Sequence, residues 1–349
     1  MKGVNKVKLT RRTFFRTLLI VFGVVVIALG VFVWVAAGYL VSPPRRALQD
    51  YHRDWLEHAG AHGMLVDQYE ALDGLVPCIL VRPDAAHGAG ERGKTLRKQL
   101  TDVGWKLDAY GTVCGTLVLL HGREGRKEDL LPVAERFVAA GFRCILPDLP
   151  AHGESKVMKT HFGNDLFECN LASEVLQDAA TRFDFSPEPA GLWGMSMGGA
   201  FAISAAAAQP QQWKAMVLVC TFDTLSGVES DRLHRWFGPF APLMERAVDF
   251  AIRMRAGTSP STVRSVDKAR RVLIPTLVAH GDRDALISIA RGRSLYDALP
   301  GTEKKWIEVP GGTHETILVT PLALYSEMSA WFLANMHPGA KPTEAGNHL

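Results

Sequence analysis

Residues 194–198 read Gly194-Met195-Ser196-Met197-Gly198, a G-x-S-x-G pentapeptide. An apolar segment, 189–193, leads into it and a run of small residues, 199–206, follows. That context is what a nucleophile elbow needs: a strand, a turn too tight for side chains at its flanks, then a helix. The serine hydroxyl is thereby held at the top of a sheet, with free helix N–H groups behind it. In a chain with 32 glycines the bare pentapeptide also fits a Gly/Ser turn that merely caps a helix. Serine is a poor nucleophile without a base, and the base needs a third group to orient it. Leu277-Val278-Ala279-His280-Gly281-Asp282-Arg283-Asp284 supplies acids at the end of an apolar strand run. Val309-Pro310-Gly311-Gly312-Thr313-His314-Glu315 supplies a histidine on a glycine-rich loop. Serine, acid and histidine in that order could carry two-step acyl transfer.

These groups need a sheet whose strand ends converge. Met64–Tyr69 and Val76–Val81 read as a hairpin about the Asp73-Gly74 turn. Apolar runs at Thr116–Leu120, Arg143–Leu146, Ala190–Trp193, Ala215–Cys220, Thr276–His280 and Lys305–Val309 read as further strands. Helical patterns fall at Leu130–Ala140, Phe167–Phe183, Gly199–Ala208 and about Pro321–Met336. Alternating strands and helices after a hairpin predict a mostly parallel α/β sheet covered on both faces. Residues 222–271 interrupt the alternation with a helical, aromatic-rich insert that would form a lid. Residues 83–112 are rich in glycine and charge, with one helix-like piece at Thr95–Val103, and read as a surface loop. The globular domain would span 64–336, a linker with a short helix 42–63, and a flexible tail 337–349.

Leu18 to Val41 is uncharged over 24 residues. At about 1.5 Å per residue it could cross a hydrocarbon core of about 30 Å, and it exceeds the roughly 7–15 residues of a secretory apolar region. An uncleaved transmembrane anchor, 18–41, is expected, with a basic cytoplasmic segment, 1–17, before it. Trp34 and Tyr39 would sit at its far interface. Arg11-Arg12 also fits a twin-arginine export signal, and cleavage after Ala37 or Gly38 is an alternative. Both readings put the domain on the extracytoplasmic side, periplasmic in a bacterium. Net charge is only +3, and six basic residues precede the anchor, which argues against a nucleic-acid partner. The five cysteines form no C-x-x-C pair and read as small apolar residues rather than as zinc ligands or a redox pair.

His121-Gly122-Arg123, Asp148–Ser155, Gly194–Gly198, His280–Asp284 and Gly312–His314 stand in an order that resembles the α/β-hydrolase superfamily, specifically its serine-aminopeptidase/monoacylglycerol-lipase-like branch. The resemblance covers roughly residues 64–336. It implies an α/β-hydrolase fold with a small helical lid and a Ser-His-Asp triad. Ser196 would be the nucleophile, His314 the base and Asp284 the orienting acid, with Asp282 the second choice. The oxyanion hole would be the backbone N–H groups of Arg123 and Met197. No cofactor and no metal are expected.

Two departures stand out. Ala151 replaces the first glycine of the family's Gly-His-Gly turn, and is expected to require a negative φ there. The stretch 83–112 is longer than the family's usual step between its second and third strands. His121, His152 and His280 are read as loop or strand-end residues, and the Arg123 guanidinium as a surface salt-bridge partner or a contact for an anionic substrate. Trp236, Phe237 and Phe240 could meet an apolar acyl group or only seal the lid. The expected function is a membrane-anchored hydrolase acting on a small-molecule ester or thioester, lipid-like given the anchor. Amide hydrolysis, acyl transfer to another acceptor, or a non-catalytic binding role are the competing readings.

Overall fold

The computed structural model describes residues 11–339 apart from Thr302, Thr320, Pro321 and Pro338. The first ten residues of the expected cytoplasmic segment and nearly all of the expected tail lie outside them.

Eight strands form one sheet in the order β1-β2-β4-β3-β5-β6-β7-β8. β1 (Met64–Ala71) and β2 (Val76–Pro83) make the antiparallel hairpin, and β2 pairs antiparallel with β4 (Phe142–Pro147). From β4 onward every pairing is parallel: β3 (Gly115–Leu120), β5 (Ala190–Met195), β6 (Trp213–Val219), β7 (Thr276–Gly281) and β8 (Lys304–Val309). Strand side chains alternate between faces, so β3 and β5 feed two cores. Val118, Leu120 and Leu192 pack with α5 (Leu166–Arg182) and α6 (Met197–Ala208). Leu117, Leu119 and Trp193 pack on the other face with α4 (Leu131–Ala139) and α11 (Leu322–Met336), through Phe137 and Phe332. The fully buried strands are mostly apolar along both faces, as a sheet covered on both sides demands, with polar residues at their ends such as Thr116 and His280.

Four expectations need correction. Residues 83–112 are more than a surface loop: the helix-like piece expected at Thr95–Val103 is α3 (Glu91–Asp102), which buries Leu96 and Leu100 in the second core and continues its cover beside α4 and α11. Ala151 has φ of +67°, not the negative value expected. It is buried and its N–H donates to the Val157 carbonyl at 2.8 Å, so surrounding structure holds it in a region that alanine disfavours. A helix between the last two strands, α10 (Ile289–Ala298), was not foreseen. It buries only Gly292 and Leu295, too few to leave an apolar stripe in the sequence. Finally, α6 begins at Met197 rather than Gly199, because Ser196 itself occupies the helix N-cap.

The interval 222–271 is helical, with α7 (Leu225–Phe237), α8 (Ala241–Ala256) and α9 (Ser265–Ala269). The N-terminal apolar run is one helix, α1 (Arg11–Val41). Most of α1 stands free of the domain, but Val33, Ala37, Leu40 and Val41 near its end are buried, and that end packs along α8. Phe32 meets Phe237 edge-on at 6.4 Å and the Arg255 guanidinium lies 4.9 Å over the Trp34 ring. In the linker, α2 (Asp50–Glu57) follows; Trp55 and Leu56 pack partly as expected, and His52 is its buried residue.

Candidate active site

Ser196 sits between β5 and α6 with φ 55° and ψ −120°, a conformation that non-glycine residues avoid. The glycines beside it explain how the turn closes. A Cβ on Gly198 would lie 2.0 Å from the Leu120 carbonyl oxygen, and one on Gly194 would lie 2.4 Å from that of Gly198. The Ser196 N–H is tied to the Val219 carbonyl of β6 at 2.8 Å. Strain at Ser196 is thus held by buried strands on either side. Met197, as the first residue of α6, has an N–H without an intrahelical acceptor, aimed out of the helix start.

Asp284 and His314 come together from two loops. The Nδ1 of His314 lies 2.7 Å from Oδ2 of Asp284, while Oδ1 of the same carboxylate accepts the N–H groups of Leu286 (2.9 Å) and Ile287 (2.8 Å). Burial pushes the Asp284 carboxyl up, but hydrogen bonds from His280 and His314 and the backbone outweigh it and hold it well below the ordinary range. An ionised Asp284 accepts only, so Nδ1 of His314 carries the proton and Nε2 is left with its lone pair. Asp282 points elsewhere, accepting the Gly311 N–H at 2.6 Å and shaping the histidine loop. Of the two acids, the geometry brings Asp284 to the histidine.

Ser196, Met197, His314, His121, Gly122 and Arg123 line one cleft of about 580 Å³. Gly122 sits directly over the serine, since a Cβ on it would approach Ser196 Cβ to 3.5 Å. The loop that carries Gly122 and Arg123 is braced from beneath by a buried ion cluster. Lys127 donates to Asp148 (2.9 Å) and Glu154 (2.7 Å), and Asp148 also accepts the N–H groups of Lys127 and Glu154. Burial opposes the charge on Lys127, yet Asp148 and Glu128 raise its pKa above the ordinary lysine value. Gly153 is required in this turn because a Cβ there would overlap the Asp148 carboxylate.

The three other singled-out histidines hold structure. His121 accepts the Leu149 N–H on Nε2 and turns Nδ1 to the Gly122 carbonyl; burial pushes its pKa down to about 4. His152 turns Nδ1 to the Pro150 carbonyl, and burial lowers it to about 3. His280 donates Nε2–H to the Ile287 carbonyl at 2.9 Å. His280, Cys220 and Asp284 have donor atoms within 4.8 Å of one another. The His280 Nε2–H is committed to the Ile287 carbonyl, and burial pushes the Cys220 thiol up, away from the thiolate that a metal ligand needs.

Trp236, Phe237 and Phe240, read as meeting an acyl group or only sealing the lid, do not line the cleft. Trp236 and Phe240 are 60% and 69% exposed on the outer face, and Phe237 packs on the Leu233-Ala241-Met244 cluster. From α7 it is Leu225, Val228, Glu229 and Arg232 that face the cleft. Glu229 is a half-buried carboxyl whose pKa is raised by desolvation. Its alternation with Val228 on an amphipathic helix was the only sequence signal, and it is a weak one. Leu40, at the end of α1, also reaches the cleft, which no pattern in the sequence indicated. The five cysteines carry no disulfide; Cys78, Cys144 and Cys220 are buried as expected, and Cys114 and Cys169 are partly so.

Comparison with known proteins agrees with this architecture. Residues 111–250 match the family model described as serine aminopeptidase, S33. A monoacylglycerol lipase from Mycolicibacterium smegmatis is 26% identical over 251 residues, covering 64% of this chain and 89% of the lipase. An esterase from Pyrococcus furiosus superposes in one crystal form with a TM-score of 0.59 at 15% identity, over 85% of this chain and 98% of the esterase. In a second form the TM-score is 0.56 at 17% identity, over 84% and 100%. The chain has the α/β-hydrolase fold, and its middle part is similar to the serine-aminopeptidase/monoacylglycerol-lipase-like branch.

Proposed function

We propose that this protein is a serine hydrolase of carboxylic esters, attached to a membrane by α1 and acting on a lipid-like acyl substrate. The observation that carries the reading is the pairing within one cleft of a strained Ser196 and a His314 whose Nδ1 is bonded to Asp284. In this reading Ser196 Oγ attacks the ester carbonyl while Nε2 of His314 takes its proton. Asp284 fixes the tautomer and stabilises the imidazolium that forms. The N–H groups of Met197 and Arg123 receive the oxyanion, each such donor contributing roughly 3–4 kcal/mol to the transition state. His314 returns its proton to the departing alcohol. Water, deprotonated by His314, then adds to the acyl-enzyme, and collapse releases the acid and restores Ser196.

Ester chemistry is favoured by the monoacylglycerol lipase and the esterase among the relatives. An acyl substrate suits the apolar wall of the cleft, where Leu40, Phe222, Leu225, Val228 and Ile287 meet. α1 supports the membrane assignment by length and composition: its 31 residues make a rod of about 46 Å, longer than the roughly 30 Å hydrocarbon core. The surplus is at the end that packs on α8. With Arg11, Arg12 and Arg16 on the cytoplasmic side, the hydrolase domain is extracytoplasmic.

The test is labelling of the full chain, in detergent, with a fluorophosphonate, followed by hydrolysis of p-nitrophenyl esters. Labelling and turnover should both vanish in Ser196→Ala. Turnover that persists in that variant would remove Ser196 from the role.

A further inference from the structure

We infer that the end of α1 is a working part of the active site: it braces the oxyanion loop through the Arg123 side chain and forms, with Leu40, a wall of the acyl pocket. This rests on the hydrolase reading above.

The last carbonyls of a helix lack intrahelical donors and carry the negative end of its dipole. At the end of α1 the catalytic domain supplies two of the donors. The Tyr39 carbonyl accepts Nη2 of Arg123 at 2.7 Å, and the Val41 carbonyl accepts the Thr160 N–H at 2.9 Å. A cation at a helix C-terminus is the favourable pairing. The guanidinium is held from its other side by Glu124, 2.6 Å from Nη1, so it is committed to this contact rather than free for an anionic substrate.

The residues that follow α1 clamp the far end of the same loop. Arg126 donates to the Arg46 carbonyl at 3.0 Å, and the Arg46 side chain bonds Asp129 at 2.8 Å. His52 accepts the Gln49 N–H on Nδ1, which leaves Nε2–H to donate to the same Asp129 oxygen at 2.8 Å. Segment 39–52 thus grips loop 121–130 at both ends. That loop contains Gly122, Gly125 and a Glu124 at φ +63°, so its own backbone does little to hold the Arg123 N–H on the oxyanion. Leu40 is 6% exposed and lines the cleft beside Gly122 and Ser196, where a bound acyl chain would meet it. Arg123 is therefore a positioning residue and Leu40 a selectivity residue, and both act from the membrane side.

The experiment uses the full chain in detergent micelles, with kcat expressed per fluorophosphonate-titrated site so that unfolded molecules are not counted. Arg123→Met keeps the main-chain N–H and removes the brace. It should lower kcat by about ten- to a hundredfold with KM nearly unchanged, since slight misplacement of a catalytic group has effects of that size. Arg123→Lys should recover part of the loss. Across p-nitrophenyl esters from acetate to palmitate, Leu40→Trp should move the optimum to shorter chains and Leu40→Ala to longer ones. An unchanged kcat in Arg123→Met together with an unchanged chain-length profile in both Leu40 variants overturns the inference if Ser196→Ala is still inactive. Persisting turnover in Ser196→Ala would instead overturn the hydrolase reading.

Discussion

The two sides of the cleft are built differently. On one side, the elbow stands between buried parallel strands, and its glycines leave no room for a methyl group. On the other, the walls come from α7 and the end of α1, and the helical insert they border exposes Trp236, Phe240, Leu243 and Phe250. In the proposed reaction the reacting atoms, which must be placed within fractions of an ångström, sit on the sheet side. The groups that would choose among substrates line the helical side. The sheet ends provide position, and the helices provide shape.

If that contrast is right, changes on the sheet side should be severe. Asp284→Asn should cut kcat by about ten-thousandfold by presenting the wrong histidine tautomer, whereas Asp282→Asn should cost far less because it only loosens the Gly311 turn. Equal losses in steady-state ester hydrolysis would undo the assignment of the acid. Gly198→Ala places a methyl group against the Leu120 carbonyl. It should abolish fluorophosphonate labelling, and circular dichroism will tell a shifted elbow from a lost fold.

A smaller effect is expected from the loop histidines. His121 and His152 have folded-state pKa values near 4 and 3, below the unfolded value of about 6.5. Below pH 6.5 the unfolded chain takes up protons that the fold refuses. Their contribution is therefore complete above that pH and lost progressively as pH falls toward 4 and 3. Urea unfolding midpoints measured from pH 7 to pH 4 should fall, and His121→Gln should flatten that slope; an unaltered slope would refute the neutral-histidine account. The smallest effect belongs to the outer helical face. Trp236→Gln and Phe240→Gln should leave kcat on a soluble short-chain ester within about twofold and stability within about 0.5 kcal/mol. A large loss with such an ester would mean that these rings reach the cleft after all.

Much of this was legible beforehand, for a physical reason in each instance. Buried strands leave largely apolar runs, and all eight strands of the sheet were placed to within about two residues. The elbow was legible because its backbone tolerates so few residues. α10 was not, because one buried leucine and a glycine make no stripe. Gly292 itself answers to a distant group: a Cβ there would strike the His280 ring. Ala151 was misjudged because local preference was taken alone, while its strained φ is held by a hydrogen bond across the turn and by burial. The aromatics of 222–271 stayed ambiguous because large apolar residues look alike in sequence whether they face a pocket, a neighbour or the outside.

By itself the sequence determined the sheet, the order of serine, acid and histidine along it, and the long apolar helix ahead of it. These follow from local periodicity and from turn chemistry that few residues satisfy. Only the tertiary structure decided that Asp284 rather than Asp282 meets His314, that α7 presents Glu229 and Val228 to the cleft, and that the Tyr39 carbonyl takes the Arg123 guanidinium. Each of these joins residues 30 to 84 positions apart or depends on how a helix is rotated against its neighbours. Such contacts are set by packing in three dimensions, and no pattern along the chain records them.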